Sequence, residues 1–218
     1  MSELREAVVA AMMSLQITAD RLEEALGADG NEAPEVVREV LYAEEPFRLP
    51  MADLDQPWYE ATRVYGPYNF HPQRCEDWNL ESGGNTDLGE GLVAPFSGVV
   101  LSAHDWGGGI GRVIQILGVT RAGEMIVWAG WHLQEMFVSP GEIVWKGGPP
   151  IGTIGNADGR YAGAHLHEQI CVVNAWGIPG PRTFASDGRY DWRQPSRFYE
   201  EHGVEADLVR RVAERDGA

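Results

Sequence analysis

The sequence predicts a mainly β protein, an antiparallel sheet or small sandwich with helical appendages at both ends. Three observations carry this expectation. Short β-rich runs recur between glycine turns from Gly91 to Val173. Glycine (27) and tryptophan (8) are plentiful in a chain of 218 residues, which suits a turn-rich β interior better than a helical bundle. The runs also follow one another too closely for crossover helices, so βαβ units are not expected.

Taken in order, Ser2 to about Leu26 has helix-like spacing at Leu4, Val8, Met12, Leu15, Leu22 and Leu26, and Gly27-Ala28-Asp29-Gly30 stops it. A second short helix is expected from Pro34 through Val37, Val40 and Leu41. Residues 1–45 thus read as a helical appendage: helices covering an exposed sheet edge, a packing arm, a docking element or a hairpin for homodimerisation. Pro46 to Phe70 is irregular and aromatic. Strands are expected at Gly91–Leu101, Arg112–Val119, Glu124–His132, Glu142–Trp145, Ile151–Ile154 and His165–Val173, within a domain spanning 46–200. The tail from Pro195 to about Ala213 reads as helical with a break at Gly203, and 201–218 is expected as a C-terminal helix.

The net charge of -16, with no basic run, excludes the phosphate-neutralising stripe that nucleic-acid binding requires. Two cysteines, Cys75 and Cys171, are too few for a disulfide scaffold. No segment approaches the roughly eighteen apolar residues of a membrane span, and Met1–Leu15 lacks a signal-peptide pattern. The expected localisation is cytoplasmic, or periplasmic or extracellular by another export route.

The chemistry concentrates in His165-Leu166-His167. Residues i and i+2 of a strand share a face, about 6.5 Å apart, so two imidazoles there can converge on one metal or divide metal binding from proton transfer. Asp77, in His71-Pro72-Gln73-Arg74-Cys75-Glu76-Asp77, and His132, in Trp131-His132-Leu133, supply further donors. His104 and His202 lack such company and are expected on the surface. No HExxH helix or CxxC pair is present.

Several motifs together resemble the LytM/lysostaphin-type zinc metallopeptidases, whose fold is a duplicated-hybrid-motif β structure. They are Asp77-Trp78-Asn79 with Gly83 to Gly89, Gly91-Leu92-Val93-Ala94-Pro95 through Val100, Gly107 to Val113, Trp131-His132-Leu133, Val138 to Gly155, and Ala164-His165-Leu166-His167. Asp191-Trp192 to Phe198 is similar to that family's closing segment. The resemblance spans about residues 70–173 in the family's order. It implies a zinc cofactor held by a first His, by Asp77 and by His167, with a fourth position open to water. It implies His132 and His165 as the catalytic acid–base pair, and peptide cross-links of peptidoglycan, or similar short peptides, as substrate.

The chain departs from the pattern at one ligand. The first His belongs four residues before Asp77, where Gln73 stands. Three arrangements remain open: His71 swings inward as the metal ligand, Gln73 leaves the site metal-poor, or Cys75 takes part. Glu168 and Gln169 also replace the family's aromatic and Glu after the second His. A non-catalytic binding or regulatory protein with a degenerate site is therefore the alternative reading. Asp87 is expected as a turn residue, Cys171 as a buried thiol, and Trp58, Trp78, Trp131 and Trp176 as core or rim. A carrier module built on Lys146, the single lysine, is the third class, and Val144-Trp145-Lys146-Gly147 is not its usual tetrapeptide.

Overall fold

The computed structural model describes residues 43–60, 75–160, 163–173 and 190–205. The helices expected over Ser2–Leu26 and from Pro34, residues 61–70 of the aromatic run, His71, Gln73, Trp176 and the tail beyond 205 lie outside the described residues. No described helix is long and apolar enough to cross a membrane.

The strands are β1 (Trp58–Glu60), β2 (Glu76–Leu80), β3 (Gly91–Leu92), β4 (Gly98–Asp105), β5 (Arg112–Val119), β6 (Met125–Leu133), β7 (Glu135–Met136), β8 (Ile143–Val144), β9 (Gly152–Thr153), β10 (Leu166–Val173) and β11 (Tyr190–Arg193), followed by helix α1 (Pro195–Glu201). The main sheet runs β1-β2-β10-β6-β5-β4-β8, with β11 also paired to β10, and a smaller sheet runs β3-β9-β7. All pairings among these strands are antiparallel. The mainly β fold predicted from the sequence is therefore the observed one.

Two expectations about the strands are corrected. The run Gly91–Leu101 is not continuous. Pro95 carries no N–H for a ladder, and on either side of it β3 joins the small sheet while β4 joins the large one. Asp77, outside the strands expected from Gly91 onward, lies in the sheet on β2, where Glu76, Trp78 and Leu80 are buried and alternate with Asp77 and Asn79. The acidic and amide side chains of this strand hid its period-two pattern.

The principal core cluster joins the inner face of the large sheet (Trp78, Trp128, Leu166, Ile170) to Leu92 of β3, Phe198 and Tyr199 of α1, and Phe47, Leu49 and Met51 of the preceding segment. A second cluster on the opposite face gathers Val127, Cys171 and Trp192. Cys171 is the buried thiol expected of it, and burial raises its pKa to about 12. The ammonium of Lys146 donates to the carbonyls of Pro46 (2.8 Å) and Glu44 (3.4 Å), a tethering role unlike that of a carrier lysine. His202 is not the surface residue expected. Its ring stacks on Phe47 at 4.8 Å and its Nδ1 lies 2.7 Å from a Glu45 carboxylate oxygen.

Candidate active site

Strand register brings Asp77 and His167 together. The antiparallel pairing of β2 with β10 sets His167 opposite Asp77, and the pairing of β10 with β6 sets it opposite Trp131. The three side chains share the outer face of the sheet. His167 Nδ1 donates to Asp77 Oδ1 at 2.8 Å, and the Trp131 ring lies 4.5 Å from the imidazole. On the same face Gln169 directs its Nε2 to His167 Nε2 at 3.2 Å.

His132 enters the same space through a distortion of β6. Arg112 pairs with Leu133 and Ile114 with Gly130, so Trp131 and His132 together face Val113 alone, a β-bulge. His132 occupies the left-handed region at φ 64, which a side-chain-bearing residue adopts only when its surroundings hold it there. Its holder is the carbonyl of Ile110, which accepts from both the backbone N–H (3.2 Å) and Nδ1 (3.1 Å) of His132. Ile110 is presented by a turn in which Gly107, Gly108 and Gly111 all have positive φ.

His165 precedes β10 and is seated by two close backbone approaches. Its N–H donates to Gly155 O at 3.1 Å, and a Cβ on Gly155 would lie 2.4 Å from His132 O. Only glycine lets these two segments meet. Its Nδ1 lies 3.2 Å from Gly163 O, and the neighbouring Ala164 N–H donates to Asn85 Oδ1 at 2.9 Å. The His132 and His165 rings lie 4.7 Å apart, and those of His132 and His167 5.5 Å apart.

This hydrogen bonding settles the tautomers of the two imidazoles. Each gives its Nδ1 proton to a carbonyl, so Nε2 is the basic nitrogen. Burial pushes the pKa of both below the usual histidine value. For His132 the shift is large, and the neighbouring imidazoles of His167 and His165 add to it while Asp77 opposes. Both rings are neutral bases at neutral pH.

Behind the site the sheet carries acids of a different kind. Glu168 is 0% exposed and accepts the indole N–H groups of Trp78 and Trp128 and the hydroxyl of Tyr199. Burial raises its pKa to about 7, against the pull of these donors. Glu76 accepts from Gln194 Nε2 (2.8 Å), Ser196 Oγ (2.6 Å) and Ser196 N–H (2.7 Å) at the start of α1. The sequence places Glu168 inward by its alternation with Leu166 and Ile170, but nothing local to it names its donors. Asp87 sits in a turn as expected, yet it is 1% exposed, one carboxylate oxygen lacks a partner among the described residues, and burial raises its pKa to about 6.

Nδ1 of His167 and Oδ1 of Asp77 are of the types zinc takes, and they already converge, so these two donors fit the ion. Among the described residues no group of three or more His, Cys, Asp or Glu side chains is placed to hold a metal ion, and Cys75 is buried. His71 and Gln73, the other candidates for the first ligand, lie outside the described residues.

No family model and no curated protein matches the sequence. Among solved structures the chain is similar to a putative peptidase M23 from Pseudomonas aeruginosa at 22% identity and TM-score 0.41, covering 64% of this chain and 49% of that one. It is similar to a zinc containing peptidase from Vibrio cholerae at 20% identity and TM-score 0.39, covering 62% and 36%. It is also similar to the antimicrobial peptidase lysostaphin from Staphylococcus simulans at 22% identity and TM-score 0.48, covering 72% and 55%. The chain thus spans about half the length of the first and third of these, and less of the second. Likenesses of this strength leave activity to be argued from the site itself.

Proposed function

We propose that the chain is a zinc-dependent endopeptidase of the LytM type, hydrolysing peptide cross-links of peptidoglycan or similar short peptides. The observation that supports this most is the convergence of the Asp77–His167 pair with two imidazoles whose basic nitrogens are both Nε2. Asp77 and His167 would hold the zinc, with His71 as the third donor. When bound, zinc lowers the pKa of a coordinated water and polarises a carbonyl. His132 and His165 are neutral, so one can take the proton of the attacking water. That ring, now protonated on Nε2, can offer a hydrogen bond to the tetrahedral oxyanion and then pass the same proton to the leaving amine. Their Nδ1 contacts to Ile110 O and Gly163 O fix ring orientation through that exchange.

The test is zinc content together with hydrolysis. The purified protein should carry about one zinc per chain after zinc supplementation, and should cleave peptidoglycan or Gly- and Ala-containing peptides. His167→Ala should abolish both. Neither zinc nor cleavage in the supplemented protein would sink the proposal.

A second reading, a non-catalytic regulatory protein on the same fold, draws support from a specific observation. His167 is 1% exposed and His132 3%, so a polypeptide substrate has little direct access to either ring. Gln73 at the expected ligand position points the same way. Zinc binding without cleavage, together with full biological activity of His132→Ala, would select this reading over the first.

A further inference from the structure

We propose that Asn85 is a positioning residue for His165, acting through the single peptide group that joins Gly163 to Ala164. Both ends of that group are engaged. Its N–H, on Ala164, donates to Asn85 Oδ1 at 2.9 Å, and its carbonyl, on Gly163, lies 3.2 Å from Nδ1 of His165. A backbone N–H can only donate, so the oxygen of the Asn85 amide is the end that faces it. The order is therefore amide oxygen, peptide, imidazole. Asn85 lies on an exposed loop, 79 positions before the residue whose N–H it holds.

The need for such an anchor follows from the glycine. A Cβ on Gly163 would lie 2.6 Å from Gly84 O, so a glycine is what lets this segment pass against the loop. Glycine also restricts its own backbone least, which leaves the following peptide plane free to turn. A turned plane would carry the carbonyl away from the His165 ring. The next peptide is held, since the His165 N–H donates to Gly155 O at 3.1 Å, and Asn85 supplies the hold on the one before it. The loop that presents Asn85 is tied to itself and to β2. Gly83 N–H donates to Leu80 O (2.9 Å), Leu88 N–H to Asn85 O (3.1 Å) and Thr86 Oγ1 to Gly83 O (2.9 Å). Leu80 ends the strand that carries Asp77, so the loop places the His165 ring relative to that carboxylate. A hydrogen bond at the N–H also polarises the peptide and strengthens its carbonyl as an acceptor. The consequence for hydrolysis rests on the endopeptidase reading above, whereas the placement of peptide and ring does not.

The experiment uses the full chain, isotope-labelled and supplemented with zinc. In the wild type a scalar coupling across the hydrogen bond should link the Ala164 amide nitrogen to the Asn85 side-chain carbonyl carbon. Its absence would overturn the proposal whether or not any variant folds. In Asn85→Leu, which removes the acceptor at similar volume, the Ala164 amide proton should move upfield and the His165 ring resonances should shift. Asn85→Asp keeps the oxygen and should restore both. On a Gly- or Ala-containing peptide, kcat should fall about tenfold or more in Asn85→Leu with KM little changed, because a misplaced acid–base group acts on the chemical step. Asn85→Asp should recover most of that loss, and zinc content should match wild type in both variants. A His165 ring unmoved by Asn85→Leu would be fatal, as would a loss of kcat that follows a loss of zinc. If the wild type cleaves nothing while the coupling and the resonance shifts are as expected, the placement stands and the endopeptidase reading is what fails.

Discussion

Glu168 stands directly opposite Glu76 across β10 and β2, one position along from the Asp77–His167 pair and on the reverse side of the sheet. Each carboxylate is saturated by neutral donors: two indoles and a phenol for Glu168, a serine and a glutamine for Glu76. Together they tie β2, β6 and α1 to the strand that bears His167. Removing the acceptor while leaving its donors buried is the costly change. Glu168→Leu should lose about 3–5 kcal/mol in urea denaturation, and Glu168→Gln about 1–2 kcal/mol, because it keeps one acceptor oxygen. A leucine variant within about 1 kcal/mol of wild type would show that the network contributes little.

Gly130 should tolerate no side chain. It faces Glu168 across the β6–β10 ladder, and the Trp128 indole crosses it to reach that carboxylate. A Cβ there would lie 2.6 Å from Trp128 Cη2. Gly130→Ala should therefore cost about 1–3 kcal/mol, with a change in tryptophan fluorescence as the indole is displaced. Equal stability and an unaltered spectrum would contradict this packing.

Gly155→Ala should be more damaging, because the atoms it meets are backbone and cannot swing aside. The added methyl would lie 2.4 Å from His132 O and 2.6 Å from Gln134 N. The expected result is a loss of about 3 kcal/mol or more and disturbed ring resonances of both His132 and His165. Alanine at wild-type stability would mean that the two segments are not so closely apposed.

His132 offers a separation of function from stability. At φ 64 it holds a conformation that glycine adopts freely. On the endopeptidase reading, His132→Gly should lower the hydrolysis rate about 10²–10⁴-fold, the contribution of a positioned acid or base. The relief of backbone strain should offset much of the lost hydrogen bonding, leaving the unfolding midpoint little changed. Retained hydrolysis would remove His132 from the catalytic pair.

Asp87 predicts the pH dependence of stability. Its folded pKa is raised from the usual 3.8 to about 6, so between these values the folded state holds a proton that the unfolded state has released. Its contribution is therefore most favourable below about pH 4 and is lost as pH rises through about 6. Asp87→Asn should flatten that part of the profile. An unchanged slope between pH 4 and 6 would assign the effect to other groups.

The sequence made the strands and their faces legible where alternation is clean. The His165-Leu166-His167 alternation, the glycine turn before Arg112 and the continuous, largely apolar β6 run are local signals that need no partner to be seen. What it hid depends on contacts made across the sheet. The strand through Asp77 is masked by polar residues, of which Glu76 is buried through a partner 120 positions away, Ser196. The partial burial of His202 rests on Phe47 and Glu45 in the same way. The bulge at His132 comes from a mismatch between β5 and β6, and neither strand alone records it.

One strand, β10, carries the His167 imidazole on its outer side and the Glu168 carboxylate anchor on its inner side. Point substitutions can therefore alter either face separately, because successive residues of the strand point to opposite sides. A change in length cannot. Deleting or inserting one residue after His165 would turn the anchor toward the site and the imidazole toward the core. Exchanges at fixed length can therefore leave one face intact while the other changes, whereas a shift of register disturbs both at once.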